Sequence, residues 1–148
     1  MEYEVITEPT ESEIAFIDNE LVNYNLSKLG DFTELSNKSL NLVIKDETGK
    51  IIAGLLGKKY YMKAAYIDVL WVDETQRDKY LGTKLLKKFE ELAKETGCFM
   101  IHLDTFDFQA PKFYEKHGYR LYGTLNDNPV GHKRFYYYKI LDSQTLNN

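Results

Sequence analysis

Apolar and polar residues alternate over residues 2–7, which predicts a short strand. The period then lengthens. Ile14, Ile17, Leu21 and Tyr24 recur at three- and four-residue spacing, the stripe of a helix, and Thr10 or Ser12 stands where a side-chain oxygen can cap its first turn. Residues 30–39 are polar and without a period, and read as loop or weak helix. Strands over 40–46 and 51–60 flank Glu47-Thr48-Gly49-Lys50, the pattern of a hairpin. Residues 64–73 form a further strand whose second half is apolar on both faces, as in a central strand covered on both sides.

Beyond Asp73 the period changes again. Leu85, Leu86, Phe89, Leu92 and Ala93 share one helical face, with Lys84, Lys87, Lys88, Glu90 and Glu91 on the other, and Gly97 is placed to end the helix. The next strand covers 98–105. Two strands joined by a helix lie parallel, with a right-handed crossover. A short helix is predicted over 111–117, with Pro111 in its first turn and Gly118 just past its end. Late strands over 119–126 and 134–141 are joined by Asp127-Asn128-Pro129-Val130-Gly131, and 142–148 is a polar tail. The predicted order is βαβββαβαββ, one α/β domain over residues 1–141 with a mixed sheet.

Composition narrows the function classes. At 148 residues, 43% hydrophobic and 28% charged, the chain can bury one core and is not of disordered composition. Its net charge of −4 gives no footprint for nucleic acid or anionic lipid. The first residues are acidic and lack the apolar core of a signal peptide, and no apolar run is long enough to span a bilayer. A soluble cytoplasmic protein is expected. Cys98 is the single cysteine, so no disulfide framework exists, and it reads as an inert core thiol. His102, His117 and His132 have no metal-ligand spacing and read as structural or solvated; no metal site is expected.

The informative stretch is the strand-to-helix junction from Val72 to Thr83. A helix entered after a buried parallel strand aims free backbone N–H groups and the positive end of its dipole at one point, which suits a phosphate. Gly82 leaves room for close approach, and Arg77 and Lys79 add positive charge. The junction lacks the Gly-Lys-Ser/Thr of a P-loop and the glycines of a dinucleotide fold. By spacing alone it reads first as an ordinary loop with a solvated, charged rim, with a phosphate site as the alternative.

Leu70-Trp71-Val72, then Arg77-x-x-x-x-Gly82 and a Lys/Leu helix, resemble the acetyl-CoA motif of the GCN5-related N-acetyltransferases (GNAT). The stretch from Asp107 to Tyr119, Asp-Phe-Gln-Ala-Pro-Lys-Phe-Tyr-Glu-Lys-His-Gly-Tyr, is similar to that family's late Asn-x-x-Ala-x-x-x-Tyr-Glu-Lys-x-Gly-Phe segment. Motif spacing and element order agree over nearly the whole chain. Two residues depart from the pattern. Tyr80 stands where the first glycine of the pyrophosphate loop is usual, so its side chain must point away or the loop must shift. Asp107 replaces the frequent Asn, an acceptor-only carboxylate in place of an amide donor.

The resemblance implies a three-layer α-β-α domain whose sheet splays between the strands ending at Val72 and near Thr105. Acetyl-CoA is the implied co-substrate. Its pantetheine would pair with Leu70, Trp71 and Val72 like an added strand, and its pyrophosphate would sit on the amides of Asp78, Lys79, Tyr80, Leu81, Gly82 and Thr83 beside Arg77. Asp107, Ala110 and Tyr114 would complete the cofactor contacts. The implied reaction is direct attack of a neutral amine on the acetyl carbonyl, with one N–H near residues 70–72 facing the oxyanion, a contact worth about 3 kcal/mol of barrier. By spacing alone Tyr114 reads first as a helix tyrosine packed on the sheet; the resemblance instead places it where the family keeps the acid that protonates the departing thiolate. Asp68 shares strand parity with Tyr66, Leu70 and Val72 and is the candidate base, or else a partnered charge in the sheet, and a bulge would break the parity.

The acceptor site is expected from residues 30–39, 60–63 and 126–133. Tyr136-Tyr137-Tyr138 supplies core plus an acceptor-side wall. A homodimer is compatible with exposed aromatics in the C-terminal half. The competing reading is a regulatory module that binds an acyl-CoA without turning it over.

Overall fold

The computed structural model describes residues 1–29, 37–60 and 63–141, in two compact units spanning Met1–Glu34 and Leu35–Asn148. Parts of the predicted loop over 30–39 and of the segment 60–63, and the tail 142–148, lie outside the described residues.

The first unit is helix α1 (Glu11–Leu29) behind an irregular lead. Thr10 caps it: its backbone N–H donates to Glu13 Oε2 at 2.7 Å while the Glu13 N–H donates to Thr10 Oγ1 at 3.3 Å, a reciprocal capping box. The strand predicted over 2–7 does not form. Alternation yields a strand only where an edge takes it up, and among the described residues no ladder includes these positions.

The second unit is a six-stranded sheet of β1 (Lys38–Lys45), β2 (Ile51–Tyr60), β3 (Ala64–Val72), β4 (Met100–Phe106), β5 (Arg120–Asn126) and β6 (Lys133–Ile140), in the order β1-β2-β3-β4-β6-β5. Only β3 and β4 run parallel, joined through α2 (Leu81–Glu95); the short α3 (Pro111–Lys116) follows β4. This is the mixed, open α/β sheet that the element order predicts.

One face of the sheet carries the core. Leu85, Leu86, Phe89 and Ala93, the apolar stripe of α2, are buried against Ala53, Leu55, Ala65, Ile67, Ile101 and Leu103. Removing Leu85, Leu86 or Phe89 from water contributes roughly 1.5–3 kcal/mol each. Strand β4 alternates strictly, with Ile101, Leu103 and Thr105 buried while His102, Asp104 and Phe106 occupy the other face. Helix α3 adds Tyr114 to the same core, beside Tyr119 and Tyr137. Gly57 lets Phe89 approach β2: a methyl there would stand 2.6 Å from Phe89 Cε2 and 2.7 Å from the Tyr66 carbonyl oxygen. Val69 and Trp71 are exposed, so the second half of β3 is not covered on both sides as its apolar run predicts.

Candidate active site

Strands β3 and β4 share only four rungs, Ala64↔Met100, Ala65↔Ile101, Tyr66↔His102 and Ile67↔Leu103. Both strands continue past the last rung. β3 stays paired with β2 as far as Val72, and β4 with β6 as far as Phe106. Each thus keeps its outer neighbour and loses its inner one, so a fork opens whose two edges present main-chain N–H and C=O groups to each other without a ladder.

A bulge lies at the base of that fork. Gly57 pairs with Ile67 and Leu56 with Val69, leaving Asp68 as the extra residue. The bulge also exchanges faces. Ala65 and Ile67 lie on the core side before it, and Leu70 and Val72 after it. Tyr66, Asp68, Leu70 and Val72 therefore do not share one face as their parity predicts, and Asp68 is exposed at the bend.

Above the fork, Asp73 Oδ1 accepts from the Thr75 N–H (2.9 Å) and Oγ1 (2.7 Å) and caps a 3-10 helix over Glu74–Lys79, where the sequence predicts a loop. Arg77, Asp78 and Lys79 lie on this turn, all exposed. Tyr80 then adopts φ 56° and ψ 28°, the left-handed conformation that favours glycine. Its side chain is 74% exposed and turned to solvent, which is how a tyrosine fits there. The ladder of α2 begins with the Lys84 N–H donating to the Tyr80 carbonyl, so the amides of Leu81, Gly82 and Thr83 precede it at the positive helix end. A methyl on Gly82 would lie 3.4 Å from Phe113 Cζ and 3.8 Å from Val72 Cγ2, ordinary contacts. The packing of the protein does not require glycine there; the space it leaves is available to a ligand. Thr83 Oγ1 hydrogen-bonds His117 Nε2 at 3.1 Å, tying α2 to the end of α3.

Tyr114 reaches this region from the core side. Its ring packs against Phe113, Tyr119 and Tyr137, and burial pushes its phenol up to about 12. Among the described residues its hydroxyl has no hydrogen-bond partner, and it is not sealed from solvent. Ala110 is the exposed residue before α3, with Pro111 as its first helical position.

Asp107 is engaged elsewhere. Its carboxylate accepts from His132 Nδ1 and from the Lys133 N–H, both at 2.9 Å, and its own N–H donates to the Lys133 carbonyl. The Lys133 amide, ahead of His132, holds the carboxyl below the usual carboxylate range. It fastens the end of β4 to the β5–β6 turn. Two residues on, Gln109 Oε1 accepts from Thr105 Oγ1 (2.9 Å) and the Phe106 N–H (2.8 Å) and closes the turn after β4.

The opposite face of the fork carries a cluster that the sequence reading does not assign. Tyr66 Oη donates to Asp104 Oδ2 at 2.5 Å, and Arg134 Nε and Nη2 donate to Asp104 Oδ1 at 2.9 and 2.6 Å. His102 Nε2 bonds Tyr60 Oη. The period of two along His102-Leu103-Asp104 could have placed His102 and Asp104 together; the partners on β2, β3 and β6 leave no local signal. Among the described residues no group of three or more His, Cys, Asp or Glu could hold a metal ion, and no helix is long and apolar enough to cross a membrane.

The sequence model of the acetyltransferase (GNAT) family matches residues 5–119. Blasticidin-S acetyltransferase of Streptomyces morookaense is 40% identical over 86 residues, which are 57% of this chain and 62% of that protein. An acetyltransferase from Bacillus cereus ATCC 14579, known from its crystal structure, is 43% identical and superposes with a TM-score of 0.85 over 93% of this chain and 97% of that one. A Bacillus anthracis protein named as a streptothricin acetyltransferase, determined in complex with acetyl coenzyme A, is 25% identical with a TM-score of 0.64 over 76% of this chain and 67% of that one. This chain thus spans less than two thirds of the blasticidin-S enzyme and nearly all of the Bacillus cereus protein.

Proposed function

The chain belongs to the acetyltransferase (GNAT) family and is an N-acetyltransferase, and we propose that it transfers the acetyl group of acetyl-CoA to a primary amine by direct attack within the β3–β4 fork. The observation that carries this reading is the end of the shared ladder at Ile67↔Leu103 while both strands run on. Acetyl-CoA supplies a thioester already activated toward amines.

The chain's part is to bind, orient and move protons. The open edge of Leu70, Trp71 and Val72 takes the pantetheine arm as an added strand, and an N–H of that edge faces the thioester oxygen, where negative charge gathers. The amides of Leu81, Gly82 and Thr83, with Arg77 and Lys79 on the preceding turn, face the diphosphate; Asp78 and Tyr80 lend main chain while their side chains face solvent. Tyr114 donates a hydrogen bond to the departing sulfur. Full proton transfer from a phenol near 12 to a thiolate whose thiol has a pKa of about 8.5 runs uphill, so its effect grows with the charge on sulfur and needs no complete transfer. Asp68, exposed at the bulge on the fork, takes the ammonium proton before attack. Ala110 adds main chain beside Tyr114. For Asp107 we infer a supporting role, since its carboxylate is spent on the β5–β6 turn. A single cysteine, the buried Cys98, and dependence on acetyl-CoA fit a cytoplasmic setting.

The test is release of CoA thiol from acetyl-CoA across a panel of primary amines. Release that requires an amine is expected. Acetyl-CoA binding by calorimetry with no thiol release for any amine would instead assign a regulatory acyl-CoA binder.

A further inference from the structure

The face of the sheet away from α2 holds groups, next to the fork, that the transfer step leaves unused. Tyr66 stands on β3 one residue before the last shared rung and Asp104 on β4 one residue after it, so their hydrogen bond spans the base of the fork. Arg134 matches the charge of Asp104. With its proton committed to Asp104, the Tyr66 oxygen is left to accept. Burial, and then the bond to Asp104, raise this phenol well above its ordinary value, so it stays protonated and does not act as a base. Asp68, at the same level, has no ion pair among the described residues. An ammonium arriving on this face meets the exposed carboxylate of Asp68 and one phenol oxygen able to accept, with Lys58 across the strand from Tyr66.

Down the strand from the fork lies an open concavity of about 360 Å³, lined by Met100, His102, Tyr122 and Tyr138. His102 precedes the last rung by one residue and Met100 by three, so at about 3.3 Å per residue this lining runs from roughly 3 to 10 Å below the fork. It consists of a thioether and three rings. Burial lowers the His102 imidazole below its ordinary value and so favours its neutral form. The neighbouring rings already carry cations: Lys58 lies 5.9 Å from the Tyr66 ring, and Arg134 lies 5.5 and 5.7 Å from Phe106 and Tyr136. A second positive charge on the acceptor would meet these, whereas a flat, uncharged ring would meet, among the described residues, the rings and sulfur of the lining.

Building on the acetyl-transfer reading, we propose that the acceptor is an arylalkylamine, a primary ammonium joined by a short linker to a flat unsaturated ring. The ammonium sits between Asp68 and Tyr66, and the ring lies over His102 against Tyr122 and Tyr138. Amine and leaving sulfur are then served from opposite faces of the fork, Tyr66 with Asp68 on one and Tyr114 on the other.

The test compares kcat/KM for 2-phenylethylamine and tyramine with that for putrescine and spermidine, in the parent chain and in Tyr122→Ala, Tyr138→Ala and Tyr138→Phe. The arylalkylamines are expected to be preferred at least about tenfold. Each alanine variant is expected to raise their KM roughly fivefold, with the KM for acetyl-CoA unmoved and Tyr138→Phe close to the parent. Tyr122 is 56% exposed on an edge strand, so its variant tests the ring without risk to the core. Equal or better use of the aliphatic amines, or an arylalkylamine KM unchanged in both alanine variants, would overturn the proposal while acetyl transfer itself stood. Absence of acetyl-CoA binding in the parent chain would overturn both.

Discussion

Tyr114→Phe is expected to fold as the parent does and to lose at least about tenfold in kcat, with the KM for acetyl-CoA changed by less than about twofold. The ring supplies packing against Phe113, Tyr119 and Tyr137, and phenylalanine keeps all of it. The hydroxyl bonds to no described residue, so its removal orphans no buried partner and stability should move by no more than about 0.5 kcal/mol. What is lost is a donor that matters only when charge collects on sulfur, and that is a loss in kcat. Because the phenol sits near 12, the parent should show no decline from Tyr114 ionisation up to about pH 10. Thiol-release kinetics and a thermal melt on the same preparation check both halves. An unchanged kcat would return Tyr114 to the core as a packing residue.

Gly57→Ala should destabilise the chain by about 1–3 kcal/mol and depress activity further than its folded fraction explains. The added methyl would stand 2.6 Å from Phe89 Cε2 and 2.7 Å from the Tyr66 carbonyl oxygen. The ring can shift at the expense of core packing; the carbonyl belongs to β3 and moves only with its strand. Gly57 pairs with Ile67, the residue that also forms the last rung with Leu103, so pushing β3 there moves the base of the fork. Urea unfolding gives the first effect, and kcat/KM at a temperature where the variant is fully folded gives the second. Adding Phe89→Leu relieves only the ring contact, so the activity loss should persist. A fully active Gly57→Ala would separate strand position from function.

The elements that place the site were legible because each leaves a periodic mark. The stripe of α2 and the strict alternation of β4 are written in residue spacing, and a strand, helix and strand in sequence dictate the parallel pair. The bulge at Asp68 leaves no such mark, since one extra residue in an apolar run looks like more of the run; residue parity holds only where no bulge intervenes, and the sequence does not say where one does. Tyr80 was visible as a departure, and its left-handed backbone with an exposed side chain is the accommodation. Asp107 belongs to a local motif, but its partners His132 and Lys133 lie 25 and 26 residues away. The alternation over residues 2–7 is real, yet among the described residues no ladder takes it up. Tyr66, Asp104 and Arg134 come from three strands, and no window of sequence holds all three.

Amide hydrogen exchange with and without saturating acetyl-CoA, resolved to single residues, tests the fork itself. Slowing by at least about tenfold is expected at residues 69–72 and 81–83, where open main chain would be taken up by the ligand, with little change along β1 and β5. Bound acetyl-CoA with exchange unchanged at both segments would mean that the gap between β3 and β4 is not where the thioester lies.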